Sequence, residues 1–131
     1  MTLLTREHIQ SNSTFEMVEV DVSEWGNIDP KTGERERTTV FVREMSARER
    51  DDYEASHLIG KGKKARTNFK DMRAKLAIAT CCDADGNLIF TPHDVQWLSS
   101  KPVKVLDRIC DAANKINGMR QEEDEEETLK N

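Results

Sequence analysis

The chain has 131 residues, a length that fits one domain with a single modest core. Charged residues make up 34% of the chain and aromatic residues 5%, so we expect a thin core beneath a large exposed surface. No segment resembles a signal peptide and no apolar run is long enough to cross a membrane, which argues against a secreted or membrane-embedded protein.

The three cysteines, Cys81, Cys82 and Cys110, form no recognisable framework. Adjacent cysteines bridge poorly, the count is odd and no Cys-x-x-Cys is present, so neither disulfides nor a zinc site is expected. All three fall in segments with helical patterns, where a small apolar residue would serve as well. We therefore expect reduced thiols in the interior of a cell.

The net charge of −5 hides a segregation of charge along the sequence. Residues 15–57 carry 12 acidic against 6 basic residues, and residues 122–127 are all acidic. Residues 60–75, in contrast, carry 7 basic residues against Asp71 alone. Blocks of opposite sign indicate surfaces that attract partners or other copies of the chain.

The N-terminal segments are predicted to form a short helix and a strand. Residues 5–10 suit a helix that is capped by Thr5 and anchored by Ile9. Residues 15–22 alternate between apolar and acidic positions, which is typical of a half-buried strand. The valines that share its apolar face are Val18, Val20 and Val22.

A second strand is predicted to run almost directly into a helix. Residues 27–37 contain Asp-Pro and Thr-Gly turn signals and form a predicted loop. Residues 39–43 then alternate again and return antiparallel, which completes a hairpin. Ser46 and Glu49 have the spacing of a capping box, so a helix is predicted over residues 46–58. The residues expected on its inner side are Ala47, Tyr53 and His57.

The basic block is predicted to be a connector that leads into a second helix. Residues 59–65 contain two glycines and three lysines, a composition typical of a mobile linker. Thr67 or Asn68 is then the expected helix cap. The predicted buried stripe of that helix consists of Phe69, Met72, Leu76 and either Ala79 or Thr80.

The remaining elements are a turn and two helices. Residues 83–87 read as a turn that precedes a short extended segment. Thr91 is the predicted N-cap of the next helix, with Pro92 at its first position and Asp94 at its third. The last helix is predicted to start at Ser99 or Ser100 and to end at Gly118. The residues of its apolar face are Val103, Leu106, Ile109, Cys110, Ala113 and Ile116.

These elements predict an α+β fold, in which an N-terminal antiparallel β-hairpin packs on a bundle of about four helices. We expect one domain over residues 1–120. Residues 121–131 have too little apolar content to fold and are expected to form a flexible acidic tail.

No motif indicates catalysis, a cofactor or a metal. The sequence Asp83-x-Asp85-Gly86 lacks the glycine position and the bidentate Glu of an EF-hand loop. The three histidines are far apart in the sequence, and none lies in a triad-like pattern. The glycines at 60 and 62 lack the spacing of a phosphate-binding loop. The chain is therefore predicted not to be an enzyme.

The basic residues of 61–75 are the main candidate for a binding surface. They could contact phosphates, but a nucleic-acid surface normally adds interleaved aromatic residues, and only Phe69 lies near. The other two interpretations are that these residues form a solvated face, or that they bind a protein partner of opposite charge. Trp25 and Trp97 are the two large anchors in a chain poor in aromatic residues, suited either to the core or to an interface.

The order and spacing of several short motifs resemble the tail assembly chaperones of long-tailed (siphovirus-type) bacteriophages. In the first half these are Glu24-Trp25-Gly26 and the run from Val40 to Ser46 that continues into Arg48-Glu49-Arg50-Asp51. In the second half they are Arg73-Ala74, the run from Cys82 to Asn87, Phe90-Thr91, Asp94-Val95, Leu98, and the run from Ala112 to Gly118. The resemblance covers most of residues 15–120; the insertion at 27–38 and the acidic tail depart from it.

The resemblance implies a non-enzymatic helper in the cytoplasm of the infected cell. Such a protein binds the tape measure protein, keeps its apolar helices soluble, recruits tail tube protein and is absent from the mature virion. Proteins of this family often occur also as a longer frameshifted product, whose extension binds tube protein. The family has no catalytic residues to carry over.

The charges suggest how copies of the chain would assemble. We expect the acidic helix around Glu49, Asp51, Asp52 and Glu54 to meet the basic segment 61–75 of a neighbour, a head-to-tail contact that builds rings or spirals. The residues expected to bind protein are Trp25, Arg43, Glu49, Asp51, Asp52, Lys61, Lys63, Lys64, Arg66, Arg73 and Trp97. Two other functions remain open: a small nucleic-acid-binding regulator that uses residues 61–75, and a structural head–tail joining protein.

Overall fold

The computed structural model describes residues 1–12 and 14–119, so the predicted tail at 121–131 lies outside the described residues. The fold is α+β, as predicted, with an antiparallel sheet packed against helices. In chain order the elements are α1 (Arg6–Ser11), β1 (Met17–Asp21), β2 (Thr39–Arg43), α2 (Ala47–Ala55), β3 (Leu58–Ile59), β4 (Arg66–Thr67), α3 (Met72–Thr80), β5 (Cys81–Cys82), α4 (Val95–Ser99) and α5 (Val103–Ile116). Within the described residues, no helix combines the length and the apolar character that a membrane crossing requires.

The predicted β-hairpin is confirmed. Strands β1 and β2 are antiparallel, with Met17 opposite Arg43 and Asp21 opposite Thr39. On the apolar face of β1, Val20 and Val22 are buried, whereas Val18 is 41% exposed. The difference arises because Val18 lines an open groove between β1 and α5.

The sheet has a third strand that the sequence did not predict. Cys81 and Cys82 were expected in a helix, but they form β5 and pair with Val42 and Phe41 of β2. Pairing with the open edge of β2 satisfies their backbone groups, and this tertiary contact outweighs the helical pattern of the preceding residues. Cys110 lies on α5, as predicted. All three thiols are free and buried, and burial raises the pKa of Cys81 and of Cys110 to about 12.

The core lies between the sheet and the two longest apolar helices, α3 and α5. The buried residues that form it are Val20, Val22, Val42, Ala74, Leu76, Ala77, Ile78, Cys81, Leu98, Val105, Leu106, Ile109, Cys110 and Ala113. Leu98 brings α4 into the same cluster. The helices therefore cover one face of the sheet and hold its strands in place.

Helix α2 begins with the predicted capping box. The Glu49 N–H donates to Ser46 Oγ at 3.1 Å, and the Ser46 N–H donates to Glu49 Oε1 at 2.8 Å. On the expected inner side Tyr53 is half-buried and His57 is buried, but Ala47 is exposed. The reason is that α2 contacts the core through its second half, where Tyr53 packs against it.

The connector that was predicted to be mobile is a two-stranded hairpin. Strands β3 and β4 pair antiparallel, and the Asn68 N–H closes the base of the hairpin by donating to His57 O at 2.6 Å. Gly60 and Gly62 have φ values of +88° and +64°. The glycines thus supply the left-handed backbone that the tight turn needs.

Helix α3 begins later than predicted. The expected caps, Thr67 and Asn68, belong to β4 and to the turn after it, so the helix starts at Met72 behind Asp71, whose φ is +60°. This shift changes the buried stripe. Phe69 and Met72 are exposed, and the helix buries Ala74, Leu76, Ala77, Ile78 and Thr80.

The remaining helix predictions are largely confirmed. In α1 the His8 N–H donates to Thr5 Oγ1, as the predicted cap requires. The prediction that Ile9 anchors this helix is wrong: Ile9 is 59% exposed, and no residue of α1 is buried. The Thr91 N–H donates to Asp94 Oδ2 at 2.8 Å, and a 3-10 turn leads from there into α4. Helix α5 starts at Val103 and not at the predicted Ser99 or Ser100, because α4 extends to Ser99 and Pro102 is the N-cap of α5. Gly118 follows the end of α5, as predicted, with φ +63°.

Candidate functional site

Two of the residues predicted to bind partners, Arg43 and Glu49, bind each other. Arg43 is 6% exposed and donates to the Glu49 carboxylate at 3.1 and 2.8 Å. Its guanidinium also lies 4.4 Å from the centre of the Phe15 ring. Burial alone would raise the pKa of Glu49, but hydrogen bonds from Arg43 and from the Ser46 N–H hold it below its usual value. The pair joins β2 to the start of α2, so these charges stabilise the fold.

Two basic residues of the segment 61–75 bind other parts of the domain through their side chains, and the other basic residues of the segment make no such contact among the described residues. Arg73 donates to Asp107 on α5 at 2.6 Å, and Lys75 Nζ donates to Ser56 O at 2.8 Å. The other members are exposed and lie on or next to the β3–β4 hairpin: Lys61, Lys63, Lys64, Arg66 and Lys70. We call the first four of these residues the basic hairpin.

The predicted acidic face is also smaller than the sequence suggested. Glu49 forms an ion pair with Arg43, and Glu54 forms one with Arg50 at 3.1 Å. Asp51 and Asp52 remain exposed on α2. Among the described residues, no ion pair joins these two aspartates to the basic hairpin of the same chain.

The two tryptophans have different environments. Trp25 packs against the core, and its buried Nε1 has no hydrogen-bond partner among the described residues. Trp97 is 46% exposed, and its Nε1 donates to Asp94 Oδ1 at 2.9 Å. Its ring meets Phe90 edge-on with the centroids 5.9 Å apart. Of the two tryptophans, Trp97 is therefore the one that is exposed to a partner.

An apolar groove lies next to Trp97, between α2, α3 and the segment that enters α4. Its volume is about 340 Å³, at the lower end of the roughly 300–1,000 Å³ range of ligand sites. Its apolar lining residues are Tyr53, Ile78, Ala79, Leu88, Phe90, Pro92 and Val95. We call this surface the α2–α3 groove.

Polar groups of both signs border the α2–α3 groove. Glu49 and Asp52 line it from α2, and Lys75 lines it from α3. Burial raises the pKa of Tyr53 to about 12. Its hydroxyl, which the ordinary value of about 10 already keeps protonated at neutral pH, can donate a hydrogen bond. An apolar floor with charged borders suits the apolar face of an amphipathic helix.

The sequence does not indicate this groove, because the residues that line it come from three separate segments of the chain. Tyr53, Ile78 and Phe90 are far apart in the chain, and no periodicity connects them. Of the residues predicted to bind protein, Glu49 and Asp52 line the groove, and Trp97 contacts Phe90 of its lining. The one local signal for the groove is the aromatic pair Phe90 and Trp97 beside a strong helix start.

His57 follows the C-terminal end of α2 and packs between two aromatic rings. It is 6% exposed; Tyr53 meets it edge-on at 4.7 Å and Phe69 lies at 5.4 Å. Neither ring nitrogen has a hydrogen-bond partner among the described residues. Burial, and after it the charge of Lys75, lowers the pKa of His57, while Glu54 acts in the opposite direction.

Metal ligands and known relatives offer no further assignment. Among the described residues, no group of three or more His, Cys, Asp or Glu side chains is placed to hold a metal ion. The chain matches no family model, no curated protein and no solved structure.

Proposed function

We propose that this protein is a phage tail assembly chaperone without enzymatic activity. In this proposal it binds the tape measure protein, keeps that protein soluble and helps to recruit tail tube protein while the tail is built. The observation that carries the proposal is the α2–α3 groove, together with the exposed ring of Trp97 that packs edge-on against Phe90 of the groove lining.

The groove suits a helical client. An amphipathic helix binds such a surface by inserting apolar side chains at helical spacing. A long, rod-like client carries many such stretches and would engage many copies of this domain. A groove of about 340 Å³ contacts only a few side chains of each stretch, so each contact is weak and reversible, as release of the chaperone requires.

The other parts of the proposal follow from the resemblance described above. The protein would act in the cytoplasm of the host cell and would leave before the particle is complete. Tube protein would be recruited by a longer frameshifted product, as is common in proteins of this type. Copies of the domain would assemble head to tail along the client, with Asp51 and Asp52 of one copy facing the basic hairpin of the next.

Co-expression with the long helical product of a neighbouring phage gene tests the proposal. We expect that product to be soluble and to be pulled down with this protein. Leu88→Lys changes an exposed residue of the groove lining (37% exposed), and Trp97→Ala removes the exposed ring (46%) that packs against Phe90 of that lining. Both variants should reduce the amount recovered. Ile28→Lys is the matched control, because Ile28 is exposed in the loop after β1, away from the groove.

Two results would contradict the proposal. Groove variants that recover the client as well as Ile28→Lys does would exclude the groove as the binding surface. Detection of the protein as a permanent component of purified virions would instead indicate the structural head–tail joining protein.

The exposed basic hairpin favours one alternative, a nucleic-acid-binding regulator. Lys61, Lys63, Lys64 and Arg66 make no ion pair among the described residues, so their charges are available for phosphates. The acidic residues at 122–127 would then compete with the nucleic acid for this surface. DNA binding by a chain that ends at residue 121 separates the two functions: appreciable, salt-dependent affinity supports the regulator.

A further inference from the structure

Strand β1 lies at an open edge of the sheet. The strand order is β1-β2-β5, so β1 pairs with β2 on one side and with no strand on the other. The Val22 N–H donates to Thr38 O at 2.8 Å, and the Glu44 N–H donates to Glu16 O at 3.0 Å. Because hydrogen-bonded positions alternate in an antiparallel pair, the even-numbered residues of β1 face β2 and the odd-numbered residues direct their N–H and C=O groups to the open edge.

Only part of this edge is already occupied. Arg108 of α5 donates to Asp21 O at 2.7 Å and to the Glu24 carboxylate at 3.0 and 2.7 Å, which closes the edge at that end. Within the described residues, the outward N–H and C=O groups of Met17 and Glu19 have no hydrogen-bond partner. Unpaired groups of this kind are a template for another strand.

A groove runs beside this open edge. It has a volume of about 670 Å³ and lies between β1 and α5. Its apolar part consists of Val18, Val20, Ala112 and Ile116, and Arg108, Asp111 and Lys115 of α5 also line it. A strand added to β1 would therefore place every second side chain over an apolar surface, where Val18 is at present 41% exposed.

The charges select the kind of strand that fits. On the other face of β1, Glu19 is exposed and has neither an ion pair nor a side-chain hydrogen bond among the described residues. Opposite charges across neighbouring strands stabilise a sheet and like charges destabilise it. A second β1 strand would place acidic residues against acidic residues, and the acidic segment 122–127 has the same sign. Both are therefore poor occupants.

We propose that the open edge of β1 binds an extended segment of another polypeptide in which apolar and basic residues alternate. The segment pairs with the backbone of Met17 and Glu19, its apolar side chains enter the groove beside α5, and a lysine or arginine lies opposite Glu19. This surface is separate from the α2–α3 groove and does not depend on the function proposed for that groove.

Amide hydrogen exchange by NMR, with a synthetic peptide as the probe, tests this assignment. The probe is a short capped peptide of alternating valine and lysine, and its match is the same peptide with glutamate in place of lysine. We expect the lysine peptide to slow exchange at the Met17 and Glu19 amides. The Val18 and Val20 amides, which already face β2, should change little. The glutamate peptide should not bind.

Variants of exposed residues locate the charge effect without disturbing the core. Glu19→Lys should weaken the lysine peptide by up to about fivefold for each reversed cross-strand pair and should introduce affinity for the glutamate peptide. Glu34→Lys makes the same charge change in the loop after β1 and should leave binding unchanged. Equal affinity for the two peptides, or slowed exchange at Tyr53 and Val95 rather than at Met17 and Glu19, would overturn the proposal.

Discussion

At the residue scale, the buried Arg43 binds Glu49, the residue that also caps the start of α2. Arg43 gives Glu49 two hydrogen bonds, and the same carboxylate accepts the Ser46 N–H. One glutamate therefore both caps a helix and neutralises a cation that is 6% exposed. Removing one partner of such a pair leaves a buried charge uncompensated, which is more costly than losing an exposed pair.

Glu49→Gln isolates the contribution of the charge, because glutamine also serves at this position of a capping box. We expect the free energy of unfolding at neutral pH to fall by about 1–3 kcal/mol, as measured by urea denaturation. Glu54→Gln, which breaks the exposed pair with Arg50, is the control and should cost about 0.3–0.5 kcal/mol. Equal losses in the two variants would show that the buried pair has no special role.

The same pair gives a pH dependence of known sign. The pKa of Glu49 is lower in the native state than in the unfolded chain. Its contribution to stability is therefore complete above the ordinary glutamate pKa of about 4.3 and is lost as the pH falls through the lowered value. In Glu49→Gln this part of the acid destabilisation should be absent, which unfolding curves at several acidic pH values will measure.

His57 gives a second pH dependence, in a higher range. Because burial lowers its pKa, the unfolded chain binds a proton more readily than the native state does. Stability should therefore fall as the pH drops below about 6.5, with a slope of up to about 1.4 kcal/mol per pH unit, until the lowered pKa is reached. His57→Phe should remove this slope and should stabilise the domain at acidic pH, since it also removes two unpaired ring nitrogens.

Exposed histidines provide the control for His57. His93→Gln changes a residue at the start of the 3-10 turn before α4 and should keep the slope of the unaltered protein. Thermal or urea unfolding between about pH 5 and pH 7 makes the comparison. A His57→Phe protein that still loses stability over this range would show that another group is responsible.

At the scale of the elements, the β3–β4 hairpin is a structure that the composition of its residues did not predict. Glycines and lysines in residues 59–65 predicted a mobile linker, yet the chain forms a closed turn. A left-handed backbone costs an L-residue about 1–2 kcal/mol, so both turn glycines resist substitution. At Gly60 an added Cβ would also lie 3.2 Å from Lys64 O, whereas at Gly62 it would meet no atom within 4 Å.

Trypsin measures the order of this hairpin directly, because its turn carries the cleavable residues Lys61, Lys63 and Lys64. We expect slow cleavage of the unaltered protein under native conditions. Gly60→Ala should accelerate cleavage more than the control Gly62→Ala does, since both variants strain the backbone but only the first adds a close contact. Rapid cleavage of the unaltered protein would restore the prediction of a mobile linker.

The elements that sequence reasoning found are those whose signals are local. The capping box at Ser46, the N-cap at Thr91 and the alternation of β1 and β2 depend on residues close together in the sequence, so the chain alone indicates them. Strand β5 could not be found in this way. Its two cysteines become a strand only because the edge of β2 is available to them.

The candidate site was less predictable than the fold for the same reason. Arg43 and Glu49 were taken for surface charges, because burial is a property of the packed molecule and not of the local sequence. The α2–α3 groove joins residues that only the tertiary structure brings together. Trp97 was recognised because a large aromatic residue in a chain so poor in them is conspicuous by composition alone.

At the scale of the whole molecule, charge determines how copies of the chain would meet. After the internal pairs are removed, Asp51 and Asp52 on α2 and the basic hairpin remain as exposed surfaces of opposite sign. A contact between two different surfaces repeats from copy to copy and builds rings or open spirals. Each exposed pair contributes about 0–1 kcal/mol, so the assembly should be weak and sensitive to salt.

Analytical ultracentrifugation tests this assembly. Between about 0.01 M and about 1 M salt the screening length shrinks from about 30 Å to about 3 Å, and we expect the sedimenting species to become smaller. Changing Lys63, Lys64 and Arg66 to glutamate should have the same effect at low salt without unfolding the domain. The control changes the exposed Lys31, Lys101 and Lys104 to glutamate, which shifts the net charge equally.

A charge-restoring variant makes the test specific to the two surfaces. Asp51→Lys and Asp52→Lys, mixed with the hairpin variant, should recover the larger species, because each surface then meets a partner of opposite charge. A particle larger than one copy whose size changes neither with salt nor with the hairpin variant would show that charge does not drive association. The copies would then have to assemble through apolar contacts such as those of the α2–α3 groove.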